Sequence, residues 1–89
     1  MPELSRFYGI IIYMYDERGA RHHIPHFHAK HQNFQAVFNI DSVEIIQGNL
    51  ARRQHRLVVA WVELHHEELL ANWVRLQAGI PAKKIEPLR

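Results

Sequence analysis

The stretch Arg21–His31, RHHIPHFHAKH, holds five of the eight histidines of the chain and predicts the strand around which the other elements are arranged. Pro25 suits a first strand position, where its missing N–H is least costly. Because side chains alternate along a strand, we expect His26 and His28 on one face and Phe27 on the other. Phe27 would then anchor the strand in a core, while two imidazoles form a site-like pair on the opposite surface.

Three more strands are predicted from composition and alternation. An early run is rich in β-branched and aromatic residues and ends in a turn signal. Another run alternates cleanly, with its apolar residues on one face, and a short apolar run follows it. Short connections make neighbouring strands antiparallel. The sequence therefore predicts a four-stranded, mainly antiparallel sheet, with strands at about 7–15, 25–30, 34–40 and 43–47.

Beyond Leu50 the apolar residues recur at spacings of three and four, and neither Pro nor Gly interrupts the chain before Gly79. One straight helix over this length would be about 44 Å long, which exceeds the diameter of a compact domain of this size. We therefore predict a bend near His65–His66. The result is two helices, or one bent helix, packed on one face of the sheet at about 50–64 and 66–78.

The ends of the helical region carry their own signals. Asn49, or less strongly Gln47, is expected to cap the first helix, and Gly79 is expected to end the second. An extended tail follows at 81–89, in which Ile85 and Leu88 are available to dock on the core. The whole chain, 1–89, is then a single α+β domain.

Composition narrows the class of protein. The net charge is +2, with His counted as neutral, so nucleic-acid binding is permitted but not required. There is no cysteine, which excludes disulfides and thiolate metal sites. No signal peptide is visible, and no apolar run is long enough to span a bilayer. We expect a soluble, cytoplasmic, histidine-rich protein without a membrane partner.

Three chemistries could use the histidine strand. His26 and His28 could bind Zn²⁺ or a similar divalent ion, with a third ligand from His23, Asp16 or His65. They could act as general acid and base, with an arginine stabilising a transition state. They could also contact RNA or a protein without chemistry. The alternative is that these histidines are polar surface or bond the main chain.

Outside this strand, Arg52, Arg53 and Arg56 form the only basic cluster of the sequence. They fall in the first turns of the helix, where the macrodipole disfavours cations. Such a cluster indicates an anionic partner, either phosphate or an acidic protein surface, and its alternative is a solvated helix end. For His65 we expect a structural role at the bend, where its ring can hydrogen-bond across the junction.

The chain resembles one small prokaryotic family, domain of unknown function 4160, nearly from end to end. The most specific match is the PHFHA run, Pro25–Ala29. Two positions differ from many members: Ile24 and Ala51 stand where proline is common. The matching residues are 5–9, His23, 25–29, 48–50, Trp61, 63–65, Glu68, Leu69, Asn72, Trp73 and 85–88.

This resemblance implies the toxin component of a type II toxin–antitoxin pair, neutralised by direct binding of a cognate small antitoxin. The resemblance does not identify the target, and RNA is the target that the histidine pair and the arginines favour. A metal-independent ribonuclease, or another phosphodiester-acting toxin, would use His26 and His28, assisted by His23 and Arg6. Whether the protein is an enzyme stays open, as does its oligomeric state. The alternatives are a non-catalytic adaptor that binds a metal or other ligand, and the antitoxin of such a pair.

Overall fold

The computed structural model describes residues 3–15 and 24–89. Five antiparallel strands lie in chain order in a single sheet, and a helix follows them. The predicted α+β class and antiparallel sheet are confirmed, but the prediction of four strands is wrong. The elements are β1 (Glu3–Phe7), β2 (Ile10–Tyr13), β3 (His26–His31), β4 (Phe34–Asn39), β5 (Ile45–Gly48) and α1 (Arg52–Gln77).

The extra strand comes from a turn inside the first predicted strand, 7–15. Tyr8 and Gly9 both have positive φ, +50° and +77°, as a two-residue type I′ hairpin turn requires. Phe7 pairs with Ile10 across this turn, so β1 and β2 form a tight hairpin. A tyrosine rarely adopts positive φ, so the sequence pattern gives no sign of a turn at Tyr8 and predicts one continuous strand.

The helical region is one helix with a kink, not two separate helices. His65 has non-helical backbone angles, φ −126° and ψ 25°, which confirms the bend predicted near His65–His66. Twenty-six straight helical residues would span about 39 Å, whereas the longest extent of the molecule is 34 Å. The Nδ1 atom of His65 lies 2.7 Å from Glu68 Oε1 beyond the kink, as expected for a structural histidine. Among the described residues, no helix is long and apolar enough to cross a membrane.

The two ends of α1 differ in how they are capped. The N-cap is Ala51, which has no side chain to cap with, so the prediction of capping by Asn49 or Gln47 is wrong. At the other end Gly79, with φ +77°, allows its own N–H to bond Leu76 and the Ile80 N–H to bond Arg75. This is a Schellman motif, and it confirms Gly79 as the helix stop.

The core lies between α1 and one face of the sheet. Phe27 and Phe38 stack across β3 and β4 with ring centroids 5.2 Å apart, and Trp61 of α1 meets Phe27 edge-on at 6.1 Å. All three side chains are fully buried. The inward position predicted for Phe27 is therefore what the structure shows.

The C-terminal tail docks on this core, as predicted for Ile85, which is buried. Its N–H bonds the Leu4 carbonyl at 2.8 Å on the outer side of β1. Trp61 Nε1 donates to the Glu86 carbonyl at 2.8 Å. The Asn72 side chain both donates to and accepts from the main chain of Lys83. The tail thus connects the first strand to both halves of the helix.

Candidate functional site

His26 and His28 lie on the same side of β3, and their ring centroids are 5.6 Å apart. Register places His28 opposite Tyr13 on β2 and Val37 on β4, and Val37 in turn pairs with Gln47 on β5. Cross-strand partners share a face of a sheet. This row therefore crosses the face of the sheet opposite to Phe27 and Phe38, which we call the open face.

A cleft of about 340 Å³ occupies the open face over β3, β4 and β5. It combines imidazole nitrogens and carboxamides with small and apolar side chains, so it can bind a polar ligand through hydrogen bonds. We call it the histidine cleft. Its lining residues are His26, His28, Gln35, Ala36, Val37, Gln47 and Gly48.

His26 is held more tightly than a surface histidine. Only 2% of its surface is exposed, and its ring packs against Trp73 with centroids 4.9 Å apart. Its Nδ1 lies 2.7 Å from the Ile24 carbonyl oxygen. A carbonyl only accepts, so Nδ1 carries the proton, and the neutral ring has its basic nitrogen at Nε2. This contact fixes both tautomer and orientation.

His28 is partly exposed and contacts two tyrosine rings, which also contact each other. The Tyr13 ring stacks on it, with centroids 5.1 Å apart and planes 8° apart, and Tyr15 meets its edge at 5.0 Å. Burial raises the pKa of the Tyr13 phenol, and the neighbouring Tyr15 raises that pKa further. The Tyr13 phenol is therefore neutral near pH 7. The aromatic rings fix the plane of the His28 imidazole.

Gly48 forms part of the cleft wall because no larger residue fits there. Its φ is +76°, and a Cβ on this residue would lie 2.2 Å from the backbone oxygen of Gln35. The β4–β5 register is irregular at this end of the sheet, between Val37 and Phe38. The glycine thus permits the close approach that brings β5 alongside the cleft.

The structure does not bring Arg6 into the histidine cleft. Its guanidinium bonds Glu3 at 2.8 Å on the edge strand β1, two strands away from β3. This contact lowers the pKa of Glu3 and raises that of Arg6. His23, the other predicted assistant, lies outside the described residues.

The metal hypothesis has no complete ligand set in the described part of the chain. Within residues 3–15 and 24–89, no three His, Asp or Glu side chains are grouped closely enough to hold an ion. Of the proposed third ligands, His23 and Asp16 fall outside those ranges, and His65 contacts Glu68 and Trp61.

The predicted basic cluster begins α1. Arg52, Arg53 and Arg56 are exposed and line an open concavity of about 570 Å³ with Leu57. No acidic residue lies in the first turn of the helix. The cluster is therefore a cationic surface in space as well as in sequence.

Sequence reasoning missed most of what surrounds the two histidines. Tyr13 and Tyr15 are two positions apart in the predicted strand 7–15, so alternation already placed both on one face of it, but only the β2–β3 register brings Tyr13 opposite His28. Gln47 and Gly48 reach the cleft only through the β4–β5 register, and Trp73 only through the kinked helix. No local pattern signals those contacts.

Comparison with known proteins identifies the family to which the chain belongs. A family model described as a domain of unknown function, DUF4160, matches residues 9–74, well over half of the chain. Searches of curated proteins and of solved structures found no match. The matched region includes the whole histidine strand and most of α1. The chain therefore belongs to the family of domain of unknown function 4160.

Proposed function

We propose that the protein is the toxin component of a type II toxin–antitoxin pair, that it acts on RNA, and that the histidine cleft is its functional site. The observation that carries this proposal is the pair of imidazoles, 5.6 Å apart, that share a cleft on the open face. The toxin role itself is supported by the family resemblance. A small cognate antitoxin would neutralise the protein by direct binding.

Paired imidazoles suit cleavage of an RNA phosphodiester without a metal. In this proposal His26 takes the proton of a ribose 2′-hydroxyl, and the 2′-oxygen bonds to phosphorus. The bond from phosphorus to the 5′-oxygen breaks, and protonated His28 gives its proton to that oxygen. The fixed tautomer of His26 supports its role as base, and the partial exposure of His28 supports its role as acid.

Inducible expression in a bacterial host tests the toxin role. We expect growth arrest from the wild-type chain, relief when the neighbouring gene is expressed with it, and co-purification of the two products. A chain that leaves growth unchanged in both cases contradicts the proposal.

Substitution then tests the site. His28→Gln keeps a polar side chain but cannot transfer a proton, so we expect it to abolish growth arrest and RNA cleavage. His66→Gln, at a partly exposed histidine on α1, is the matched control and should stay toxic. Thermal unfolding of both variants checks that each is folded. Undiminished cleavage by folded His28→Gln excludes the acid role.

A second candidate is a module that binds a ligand without chemistry. The burial of His26 and its bond to the Ile24 carbonyl favour this candidate, because structural histidines are held in the same way. Purified wild-type protein that binds RNA but yields no product would support it. Elemental analysis of protein prepared without a histidine tag separates metal binding from other ligands. Rescue of a host arrested by the neighbouring gene product would instead identify an antitoxin.

A further inference from the structure

The strand order brings three distant segments to one end of the sheet. Because the five strands alternate in direction, the β1–β2 turn, the β3–β4 turn and the chain leaving β5 all lie at the same end. Two of these segments are in contact: a Cβ on Gly9 would lie 3.4 Å from the ring of His31, next to the second turn. Helix α1 begins four residues after Gly48, at this end as well.

Charge is strongly segregated toward this end. The segments 5–11, 29–36 and 47–57 contain five of the eleven Lys and Arg residues and none of the nine Asp and Glu residues. Arg6 forms an ion pair with Glu3. The other four cations of these segments are Lys30 and the three arginines at the start of α1. None of these four cations forms an ion pair with another described residue. We call this end, with Lys30, Arg52, Arg53 and Arg56, the basic pole.

The arginines of the basic pole oppose helix stability. Arg52 and Arg53 occupy the first turn of α1, where the exposed N–H groups carry partial positive charge. No acidic side chain there offsets the repulsion. Cations placed against the dipole, around an open concavity of about 570 Å³, fit an anionic ligand that supplies the missing negative charge.

Two aromatic side chains at the same end are largely exposed. Tyr8 in the β1–β2 turn is 54% exposed, and Phe34 at the start of β4 is 41% exposed. Exposed side-chain amides lie next to Phe34 in the chain, at Gln32, Asn33 and Gln35. Aromatic rings among cations and amides are the features that bind unpaired bases and their phosphates. An acidic protein segment would use the cations but would have no need of the stacking surfaces.

We propose that the basic pole binds single-stranded RNA and delivers it to the histidine cleft. The two sites are continuous along β4 and β5, since Gln35, Gln47 and Gly48 line the cleft and lie at the end of the sheet where α1 begins. Phosphates contact the arginines, and unpaired bases stack on Tyr8 and Phe34. The delivery step rests on the proposed function, whereas RNA binding by the pole does not require cleavage.

Fluorescence anisotropy with a labelled 12-nucleotide oligouridylate tests the binding directly. The variant Arg52→Gln/Arg53→Gln/Arg56→Gln removes three cations from the pole. We expect its affinity to fall at least tenfold, and the slope of log affinity against log salt to become shallower by about 2. Tyr8→Leu and Phe34→Leu should each weaken binding about tenfold through lost stacking.

The matched control is Lys83→Gln/Lys84→Gln/Arg89→Gln, which removes the same number of exposed cations from the tail. It should keep wild-type affinity within about twofold. Equal losses in both triple variants, or no binding by the wild-type chain at 50 mM salt, would overturn the proposal. So would equally tight binding of a polyglutamate peptide or of duplex RNA, because either result shows a general anion surface.

Failure of this inference can be told apart from failure of the proposed function. His28→Gln should leave the oligonucleotide intact, whereas its binding should still show the salt dependence that the cations of the basic pole impose. If the arginine variant still binds RNA normally, the basic pole is excluded even when the wild-type chain arrests growth. If the wild-type chain binds RNA through the basic pole but never affects growth, the toxin role is excluded and RNA binding by the pole remains supported.

Discussion

Gly48 and Gly79 have nearly the same φ but very different surroundings. Both have φ close to +77°, which side chains other than that of glycine rarely adopt. A Cβ at Gly79 would meet nothing within 4 Å, whereas one at Gly48 would meet the Gln35 backbone at 2.2 Å. The pair therefore separates the cost of conformation from the cost of a close approach.

We predict that Gly79→Ala lowers the free energy of unfolding by about 1–2 kcal/mol through its conformation alone. Gly48→Ala should lower it by a further 1–3 kcal/mol, roughly, because β4 and β5 must move apart. Chemical denaturation of both variants measures the difference. Equal losses would mean that β5 can shift freely, and that Gly48 does not set the wall of the histidine cleft.

Tyr13 makes stability depend on pH at the alkaline end. Burial first, and then the Tyr15 phenol, raise the pKa of Tyr13 in the folded protein above its ordinary value of 10.0. A group whose folded pKa is raised contributes stability below its unfolded pKa and loses that contribution as pH rises through the folded value. We therefore predict that the free energy of unfolding falls above about pH 10.

Tyr13→Phe removes the ionising group and keeps a ring to stack on His28, so the fall in stability should become smaller. Tyr8→Phe, at an exposed tyrosine, is the matched control and should follow the wild-type curve. Denaturation midpoints between pH 8 and about 11.5 provide the measurement. Identical curves for Tyr13→Phe and the wild type would rule out the assigned cause.

At the scale of the element, the start of α1 is less stable than a helix of this length can be. Ala51 at the N-cap has φ −62° and ψ 153°, and its side chain caps nothing. This φ is the one that a proline ring imposes. Only the Ala51 carbonyl, not its N–H, takes part in a described backbone hydrogen bond beyond the regular elements.

We predict that Ala51→Pro raises the free energy of unfolding by about 0.4–1 kcal/mol, because it restricts the unfolded chain. Ala60→Pro, inside the helix, should cost about 3 kcal/mol or more. Thermal denaturation distinguishes these outcomes. A destabilised Ala51→Pro variant would show that the ring clashes with Leu50.

The basic pole gives the same helix end a second test. Arg53→Glu exchanges an unfavourable charge in the first turn for a favourable one, so it should stabilise the protein by about 0.5–1 kcal/mol at low salt. It should also weaken RNA binding. Arg56→Glu changes the net charge equally but lies beyond the first turn, so its stabilisation should be smaller. Equal stabilisation by both variants would argue against the dipole as the cause.

At the scale of the whole molecule, the C-terminal tail holds the sheet and helix together. It buries Ile85, pairs with Leu4 of β1, and bonds α1 on both sides of the kink through Trp61 and Asn72. Small domains bury a limited fraction of their surface, so each such contact is a large share of the stability.

We predict that deletion of residues 83–89 lowers the free energy of unfolding by about 3–5 kcal/mol, from one buried apolar side chain and several hydrogen bonds. Asn72→Ala, which keeps the tail but removes its two bonds to Lys83, should lose about 1–3 kcal/mol. Arg89→Ala, at an exposed end, should stay within about 0.5 kcal/mol of the wild type. A deletion no worse than Arg89→Ala would mean that the tail is dispensable.

The sequence by itself determined the features that depend on near neighbours. Alternation set the faces of Phe27 and His28, the apolar spacing gave α1, Gly79 fixed its end, and chain length required a bend near His65. Each follows from local geometry and excluded volume, which are the same wherever the segment lies. The turn at Tyr8 was not predicted, because positive φ is unfavourable for an isolated tyrosine. The residue adopts it only because β1 and β2 pair.

Only the tertiary structure decided which residues share the candidate sites. Tyr13 joins His28, Gln47 joins the cleft, and Trp73 covers His26 because strand register and a helix kink bring together positions far apart in the chain. The basic pole likewise arises from strand direction, which puts three acid-free segments at one end. Such contacts depend on the packing free energy of the whole core, and no local pattern in the chain encodes them.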